Sequence, residues 1–436
     1  MSNTIQIVTV NVTQNVAPKP SQLQRTGALI SQGGTNLPVG TSALLTQRAD
    51  LIPLLNNSIN IISMTWALGV VTVKLASPHG ITIGDTEQAI IVGVVPSGYN
   101  GIESVTATAV DEFTYLSAVD YGVVTTQGVF TLEDVQQLGA MVNTYFAQGN
   151  ANGIYVLELG AGTPAEGVTA LRTYIDDPLV QFYGYLLPYD WASEPTAVTM
   201  ARDYSATTSL LYFWVSVKGT EYLQWTGIKS AVMMYYDPAV TPVTEFTCAS
   251  MFHVGLNYNP SNTNKVTPMA FSYVVGVTIP PISKVTQQTL KNNFCNYIGN
   301  GAQGGISNTI VLWGTTGDGR DYTYWYSVDW VQTNIDLDLS NAIINGSNNP
   351  INPLYYDQNG INRLQKVAQG TMNNGISYGL VLGPAPVSAV PFVTYVQNNP
   401  SDYPIGKYAG LSVTYTPNRG FIEIIFNINV TDFVLA

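Results

Sequence analysis

Histidine and cysteine are nearly absent from this chain, with two of each among 436 residues. Cys248 and Cys295 lie far apart and share no C-x-x-C spacing. They form neither a disulfide framework nor a zinc site and read as buried free thiols. His79 sits in the turn SPHG and His253 in the apolar stretch ASMFHVG. Cys248 and His253 are five residues apart, poor geometry for two ligands on one helical face, so His253 reads as a core histidine. Neither a G-x-S-x-G elbow nor an H-E-x-x-H helix is present. Charge is also scarce: charged residues make up 10% of the chain and the net charge is −12. No basic run could neutralise phosphates, which argues against nucleic acid and against an acidic membrane surface as partners. No stretch approaches about 18 apolar residues, so membrane insertion is not expected. MSNTIQIVTV has no basic n-region and no long apolar run, so no signal peptide is expected and synthesis is assigned to a cytoplasm.

What remains is a long, greasy, weakly charged chain. Hydrophobic residues make up 46%, and 27 tyrosines join many Asn, Gln, Ser and Thr residues. The length suffices for two or three domains with a substantial core. A surface that is polar without being charged suits burial against other proteins.

Few acids are placed for chemistry. Asp318 and Asp321 in TGDGRD lack the ligand series of a calcium loop and read as part of a tight turn between two strands, NTIVLWG and DYTYWYS. Asp336 and Asp338 alternate with apolar residues on a helix and read as solvated. GNGAQGG and ELGAGTPAEG are Gly-rich but lack the G-K-[ST] of a phosphate loop; GAGTPAEG lies between a strand and a helix, which leaves a nucleotide site open as an alternative. Tyr322, Tyr324, Trp325 and Tyr326 are dense enough for a sugar cleft, but a glycosidase also needs two spaced carboxylates. The rings read as core and interface residues.

The texture changes along the chain. Residues 1–25 read as an extended N-terminal arm with one short strand, TIQIVTVNV. Residues 26–58 open the core. From 59 to 129, short β-type runs separated by HG, YNG and DE turns predict an inserted all-β module. From 130 to 410, strands alternate with helices. The first helix is expected to start from Thr131 as cap, the next from Pro164 at its first position, and a later one from Ser283. Near-continuous apolar strands such as LLYFWVSV predict a sheet buried on both faces. VLGPAPVSAVPF reads as an extended connection. Residues 411–436 read as a β-hairpin whose arms are unequal: Leu411, Val413 and Tyr415 alternate on the short arm, and Ile422, Ile424, Phe426, Ile428 and Val430 on the long one. The fold class is thus mixed α/β and multi-domain, an α/β core with a small all-β insertion and extended β arms.

Two stretches carry a resemblance. Residues 77–118 hold Pro78-His79-Gly80, Gly84-Asp85, Tyr99-Asn100-Gly101 and Phe113-Thr114-Tyr115, and this stretch resembles a small β module of phage virion proteins. Residues 270–435, through RDYTYWYSVDWVQTNIDLDLSNAI and YYDQNGINRLQKVAQGTMNNGISYGLV to the terminal hairpin, resemble the contractile tail sheath family. That resemblance implies a virion subunit assembled in a host cytoplasm, forming stacked six-fold rings around an inner tail tube and contracting to drive the tube into a cell. It implies self-association, baseplate and tail terminator partners, no cofactor, no metal and no catalysis. It also implies strands exchanged between subunits, here assigned to Ile5, Ile7, Val8, Val10 and Val12 of the first arm and Ile428, Val430, Phe433 and Val434 of the last. The overhanging edge fits this, because an assembling protein can use such an edge for strand addition. Another virion component (tube, baseplate or decoration) is the alternative reading, and a tail-associated carbohydrate-active enzyme the third.

Overall fold

A computed structural model describes residues 23–56, 58–149, 152–206, 210–258, 266–301 and 308–422. Two compact units divide the chain. Of the described residues, the larger holds those within 23–330, 375–383 and 416–422, and the smaller 331–374 and 384–415.

In the larger unit, strands β1 (Gly27–Ser31) and β2 (Ser42–Leu45) come first. A six-stranded closed barrel follows: β3 (Ile59–Ala67), β4 (Val70–Leu75), β5 (Thr86–Val95), β6 (Gly101–Ala109), β7 (Glu112–Leu116) and β8 (Thr126–Leu132), in the order β3-β4-β7-β6-β5-β8. Closure leaves the barrel without an unpaired strand edge. Alternation fills it: Val71, Val73 and Leu75 from β4, Ala89 and Ile91 from β5, and Phe113 and Tyr115 from β7 point inward. The phage-module residues have local work to do. His79 donates from Nε2 to the Ala109 carbonyl (2.8 Å), while its Nδ1 accepts the Ile81 N–H (3.1 Å), which fixes both the tautomer and the turn. Asn100 brackets Val94, accepting its N–H at 2.8 Å and donating to its carbonyl at 2.9 Å. Tyr99 is buried and its hydroxyl donates to Asp120 at 3.1 Å.

After the barrel come α1 (Glu133–Ala147), β9 (Ile154–Glu158), α2 (Pro164–Asp176), β10 (Gly184–Leu186), α3 (Pro195–Ala206), β11 (Tyr212–Val217), α4 (Tyr222–Trp225), β12 (Ala231–Tyr235), α5 (Thr247–Leu256), α6 (Lys284–Asn292), β13 (Asn296–Asn300) and β14 (Thr309–Leu312). They complete an eight-stranded sheet in the order β14-β13-β12-β11-β10-β1-β9-β2. Its six central strands are parallel and only the edges β2 and β14 run antiparallel. Helices cover both faces, as the apolar runs require. Phe213, Val215 and Val217 pack with α2, α3 and α6, in a cluster that includes Leu171, Met200 and Leu290. On the other face Trp214 meets Phe252 of α5 at a ring separation of 5.4 Å. That helix lies close because Gly184 has no side chain: a Cβ there would stand 2.6 Å from Phe252.

The smaller unit takes the later turns of α7 (Tyr322–Ser347) and most of α8 (Gln358–Ser377). Beyond α8 lies β15 (Val381–Leu382), which belongs to the larger unit, followed by β16 (Val387–Ala389), α9 (Phe392–Asn398) and β17 (Leu411–Val413) in the smaller, and β18 (Thr416–Pro417) in the larger again. Strands β16 and β17 form one antiparallel pair, β15 and β18 another. Gln365 and Gln369, one helical turn apart on α8, fasten β16: Gln365 donates to the Val387 carbonyl and Gln369 accepts the Val387 N–H, each at 2.8 Å.

Several expectations are corrected. DYTYWYS is not a strand; Tyr322 begins α7. Asp321 takes the Thr323 N–H at 2.9 Å, which caps the helix, and Tyr322, Tyr326 and Trp330 then bury one face. Thr131 is no cap. It lies in β8, paired with Ile90, and Leu132 precedes the first turn of α1. Residues 381–392 are not a plain connection, since they hold β15 and β16. Leu411–Val413 pairs with Val387–Ala389; the long arm of the expected hairpin lies, beyond Ile422, outside the described residues. Asp338 is not simply solvated, because Thr371 of α8 donates to it at 2.6 Å. Pro164 and Ser283 do sit at the starts expected of them, the latter as a cap accepting the Thr286 N–H.

Replacing Gly184 with alanine should destabilise the protein by about 1–3 kcal/mol, the usual cost of overpacking. The midpoint of a urea unfolding curve reads this, and an unchanged midpoint would mean that α5 is free to shift.

Candidate functional site

A doubly wound sheet offers one standard place for a ligand. The chain leaves β1 towards β9 on one side and later returns to β10 on the other, and the crevice beyond the carboxyl ends at that reversal is where such folds bind anions and nucleotides. Here the loop after β1 reads Ser31-Gln32-Gly33-Gly34-Thr35. Its donors converge on a single acceptor, the carboxylate of Glu158 at the end of β9, which is 2% exposed. Ser31 Oγ donates at 2.8 Å and Thr35 Oγ1 at 2.7 Å. The N–H groups of Gly33, Thr35 and Gly160 donate at 2.7, 3.1 and 2.8 Å. Gly33 lies at φ +81°, and a Cβ there would stand 2.7 Å from Ala161. The anion seat is therefore built, and filled by the protein's own side chain.

The start of α2, within GAGTPAEG, is closed in the same way. Thr163 and Glu166 form a reciprocal cap, with Glu166 Oε2 accepting the Thr163 N–H at 2.8 Å and its hydroxyl at 2.9 Å. Those bonds hold the Glu166 carboxyl below its ordinary value. Gln32 adds two bonds to the Gly162 and Thr163 carbonyls, each 3.1 Å. The nucleotide alternative for GAGTPAEG finds both anion positions occupied from within. Glu158 was missed by motif reasoning; its signal was a lone acid ending the apolar strand IYVLE.

Other acids gather where the barrel meets the core. Burial pushes the Glu87 carboxyl of β5 up to about 8, with Asp190, Asp85 and Glu166 adding repulsion. Asp190 is raised to about 6, chiefly by burial. Asp134 is raised well above the carboxylate range by burial and by Asp190, Glu87, Glu133 and Glu158. Deeper in the core, Asp329 of α7 receives the hydroxyls of Tyr183 (2.8 Å) and Tyr212 (2.9 Å); burial raises its carboxyl and those two bonds oppose the rise. Such pairing satisfies a buried acid without making a reactive pair.

The remaining candidates are structural. Burial drives both thiols up, Cys248 and Cys295 alike, so neither is a nucleophile near neutrality. His253 packs edge-on against Tyr145 with ring centroids 5.1 Å apart. Asp318 accepts from Thr316, from the Arg320 N–H and from the Trp325 indole, and so organises its turn. Tyr322 and Tyr326 are core, whereas Tyr324 and Trp325 are half-buried at the surface. Among the described residues no cluster of His, Cys, Asp and Glu is arranged to hold a metal ion, and no helix is long and apolar enough to cross a membrane. The strand-exchange residues Ile5, Ile7, Val8, Val10, Val12, Ile428, Val430, Phe433 and Val434 all lie outside the described residues.

The architecture defines a class: a multi-domain α/β protein whose ligand crevice is sealed and whose core carries an inserted barrel. No protein-family model and no curated protein matches the chain. Solved structures do. A chain in the six-fold symmetrised cryo-EM structure of the anti-feeding prophage baseplate shares the fold at a TM-score of 0.59 and 12% identity, over 98% of this chain and 100% of that one. A chain in the anti-feeding prophage helical sheath in its contracted state does so at 0.52 and 11%, over 97% and 99%. A chain in the contracted baseplate gives 0.51 and 11%, over 97% of each. The protein has the fold of the contractile tail sheath family.

Two outcomes are expected. Glu158→Ala should lower stability by about 3 kcal/mol or more, since it strands several buried donors, and inorganic phosphate should partly restore the melting temperature of that variant while leaving the unaltered protein unchanged. Glu87 and Asp190 have folded values above their unfolded ones, so their contribution is present in full below about 4 and is lost as pH rises, up to about 6 for Asp190 and up to about 8 for Glu87. Melting temperature should accordingly rise on acidification across that window, and Glu87→Gln should flatten the slope.

Proposed function

We propose that this protein is a structural subunit of a contractile sheath and not an enzyme. In this reading it polymerises into stacked six-fold rings around an inner tube, joins a baseplate at one end and a terminator at the other, and contracts to drive the tube into a target cell. The observation that carries the proposal is the fold match, which extends over 98% of this chain and the whole of a chain in a six-fold symmetrised assembly. The sealed crevice supports it, since the place where this kind of sheet does chemistry holds Glu158 instead. The work would be stored in two packings of the same subunits.

In this proposal the terminal arms link neighbours, with Ile5 to Val12 and Ile428 to Val434 adding strands to the sheets of adjacent copies. Strand β17 supports the assignment of a receiving edge. Its one partner among the described residues is β16, whose far side at Val387 is already taken by Gln365 and Gln369. The barrel is assigned to the outer surface.

A second reading has a specific basis, because two of the matching chains come from baseplate structures. Negative-stain microscopy of the purified protein separates the two. Striated tubes support the sheath, isolated short rings support a baseplate component, and dispersed monomers under all conditions count against both. Deleting residues 427–436 should leave a folded monomer that no longer polymerises, judged by circular dichroism and sedimentation. Unfolding of the truncated chain would place those residues in its own core. Removing the barrel, residues 59–132, should leave polymerisation intact.

A further inference from the structure

Cations are rare here, 16 Lys and Arg in the whole chain. Three of them converge on two adjacent rings at the start of α7. Lys229 Nζ lies 4.4 Å from the centroid of Trp325. The Arg320 guanidinium lies 4.8 Å from the centroid of Tyr324 and 5.2 Å from that of Trp325. Arg419 lies 4.7 Å from the centroid of Tyr324. The rings are half-buried and Arg320 and Arg419 are exposed, so the group forms part of the surface.

The neighbouring acids share these charges without hydrogen-bonding to their side chains: Arg419 opposes the burial-driven rise of the Asp321 carboxyl, and Lys229 that of Asp329. Asp318 gives its oxygens to Thr316, the Arg320 N–H and the Trp325 indole, and reaches the Arg320 side chain only at 4.0 Å. Asp321 gives its oxygens to the Thr323 and Gly420 N–H groups, at 2.9 and 3.0 Å. Among the described residues, the side chains of Lys229, Arg320 and Arg419 donate no hydrogen bond. Each is instead held in place by an aromatic face. This is an unusual state for a guanidinium, whose donor fork normally finds a carboxylate. Stacking fixes the side chain at little entropic cost and leaves its N–H edge open. The same stacking occupies the ring faces that a sugar would need.

We propose that this rack of three cations on Tyr324 and Trp325 is a docking site for a carboxylate-rich segment of a partner protein. Charge complementarity selects the occupant. A polyanionic nucleic acid would meet an otherwise acidic protein of net charge −12, with no basic track to follow beyond these residues. A short acidic peptide needs only two or three cations and a bidentate fork, which is what the rack presents. Recognition of this kind gives specificity and fast association, and it weakens with salt. The proposal is independent of the sheath reading, since it concerns a surface that would act whether or not the chain forms tubes.

The test uses the full chain and a fluorescently labelled hexaglutamate peptide, with binding read by anisotropy. Hexaglutamine, inorganic phosphate and an oligothymidylate of equal charge serve as comparators. Hexaglutamate should bind, and Arg320→Gln with Arg419→Gln should weaken it by about tenfold or more. Trp325→Leu should weaken it too, by freeing Lys229 and Arg320. In about 1 M salt, where the screening length falls to ~3 Å, binding should vanish. Arg419 is exposed, so Arg419→Gln alone gives a variant whose fold is not in question. Equal affinity of the altered and unaltered proteins, or equal binding of hexaglutamine, would overturn the proposal. Tighter binding of the oligothymidylate than of hexaglutamate would overturn the choice of a protein partner.

Discussion

The buried carboxylate of Glu158 holds together the part of the molecule from which everything else departs. Burying an ionised acid costs several kcal/mol unless donors replace its water. Five donors do so here, from Ser31, Gly33, Thr35 and Gly160. The consequence reaches beyond one residue. Once Glu158 fixes the loop at 31–35, that loop becomes a template: Gly34 accepts the Asn56 N–H at 3.0 Å, and Thr35 bridges to Leu55. Those residues lead directly into β3. The point where the chain leaves the core to build the barrel is therefore set by an acid more than a hundred residues later in the sequence.

The barrel returns to the core within a few ångströms of that point, and the junction is acidic. Glu87, Glu133, Asp134 and Asp190 interact there through low-dielectric surroundings, and Lys218 opposes the rise of Glu133. A junction of that composition is better satisfied when its carboxyls hold protons. The barrel's own interior is apolar and its edges are closed, so its shape does not depend on this junction. Its relation to the core does.

Glu158 fills the crevice of the sheet, burial drives both thiols up, and Asp329 is bonded by two tyrosines. Outward lie strand β17, whose one partner among the described residues is β16, and a set of cations racked on aromatic rings.

Local and periodic information was legible in the sequence. Strands such as Tyr212–Val217 announced burial on both faces, because a parallel strand has no solvent face to leave polar. Pro164 and Ser283 marked helix starts, because capping chemistry is confined to a few adjacent residues. The SPHG and YNG turns marked the barrel, because His79 and Asn100 bond to backbone in their immediate surroundings. What failed was what depends on distant partners. DYTYWYS alternates like a strand, yet its rings pack on Tyr183, Tyr212 and Trp214, and a helix is the conformation that brings Tyr322 and Tyr326 onto that one surface. The pairing of Leu411–Val413 with Val387–Ala389 carried no local signal, because hydrogen-bonded ladders choose partners by position in space. Glu158 carried no motif at all. The sequence by itself determined most elements and their polarity; only the tertiary structure decided which strand pairs with which, and that Glu158 fills the anion seat beside the loop after β1, because both depend on groups brought together from far apart in the chain.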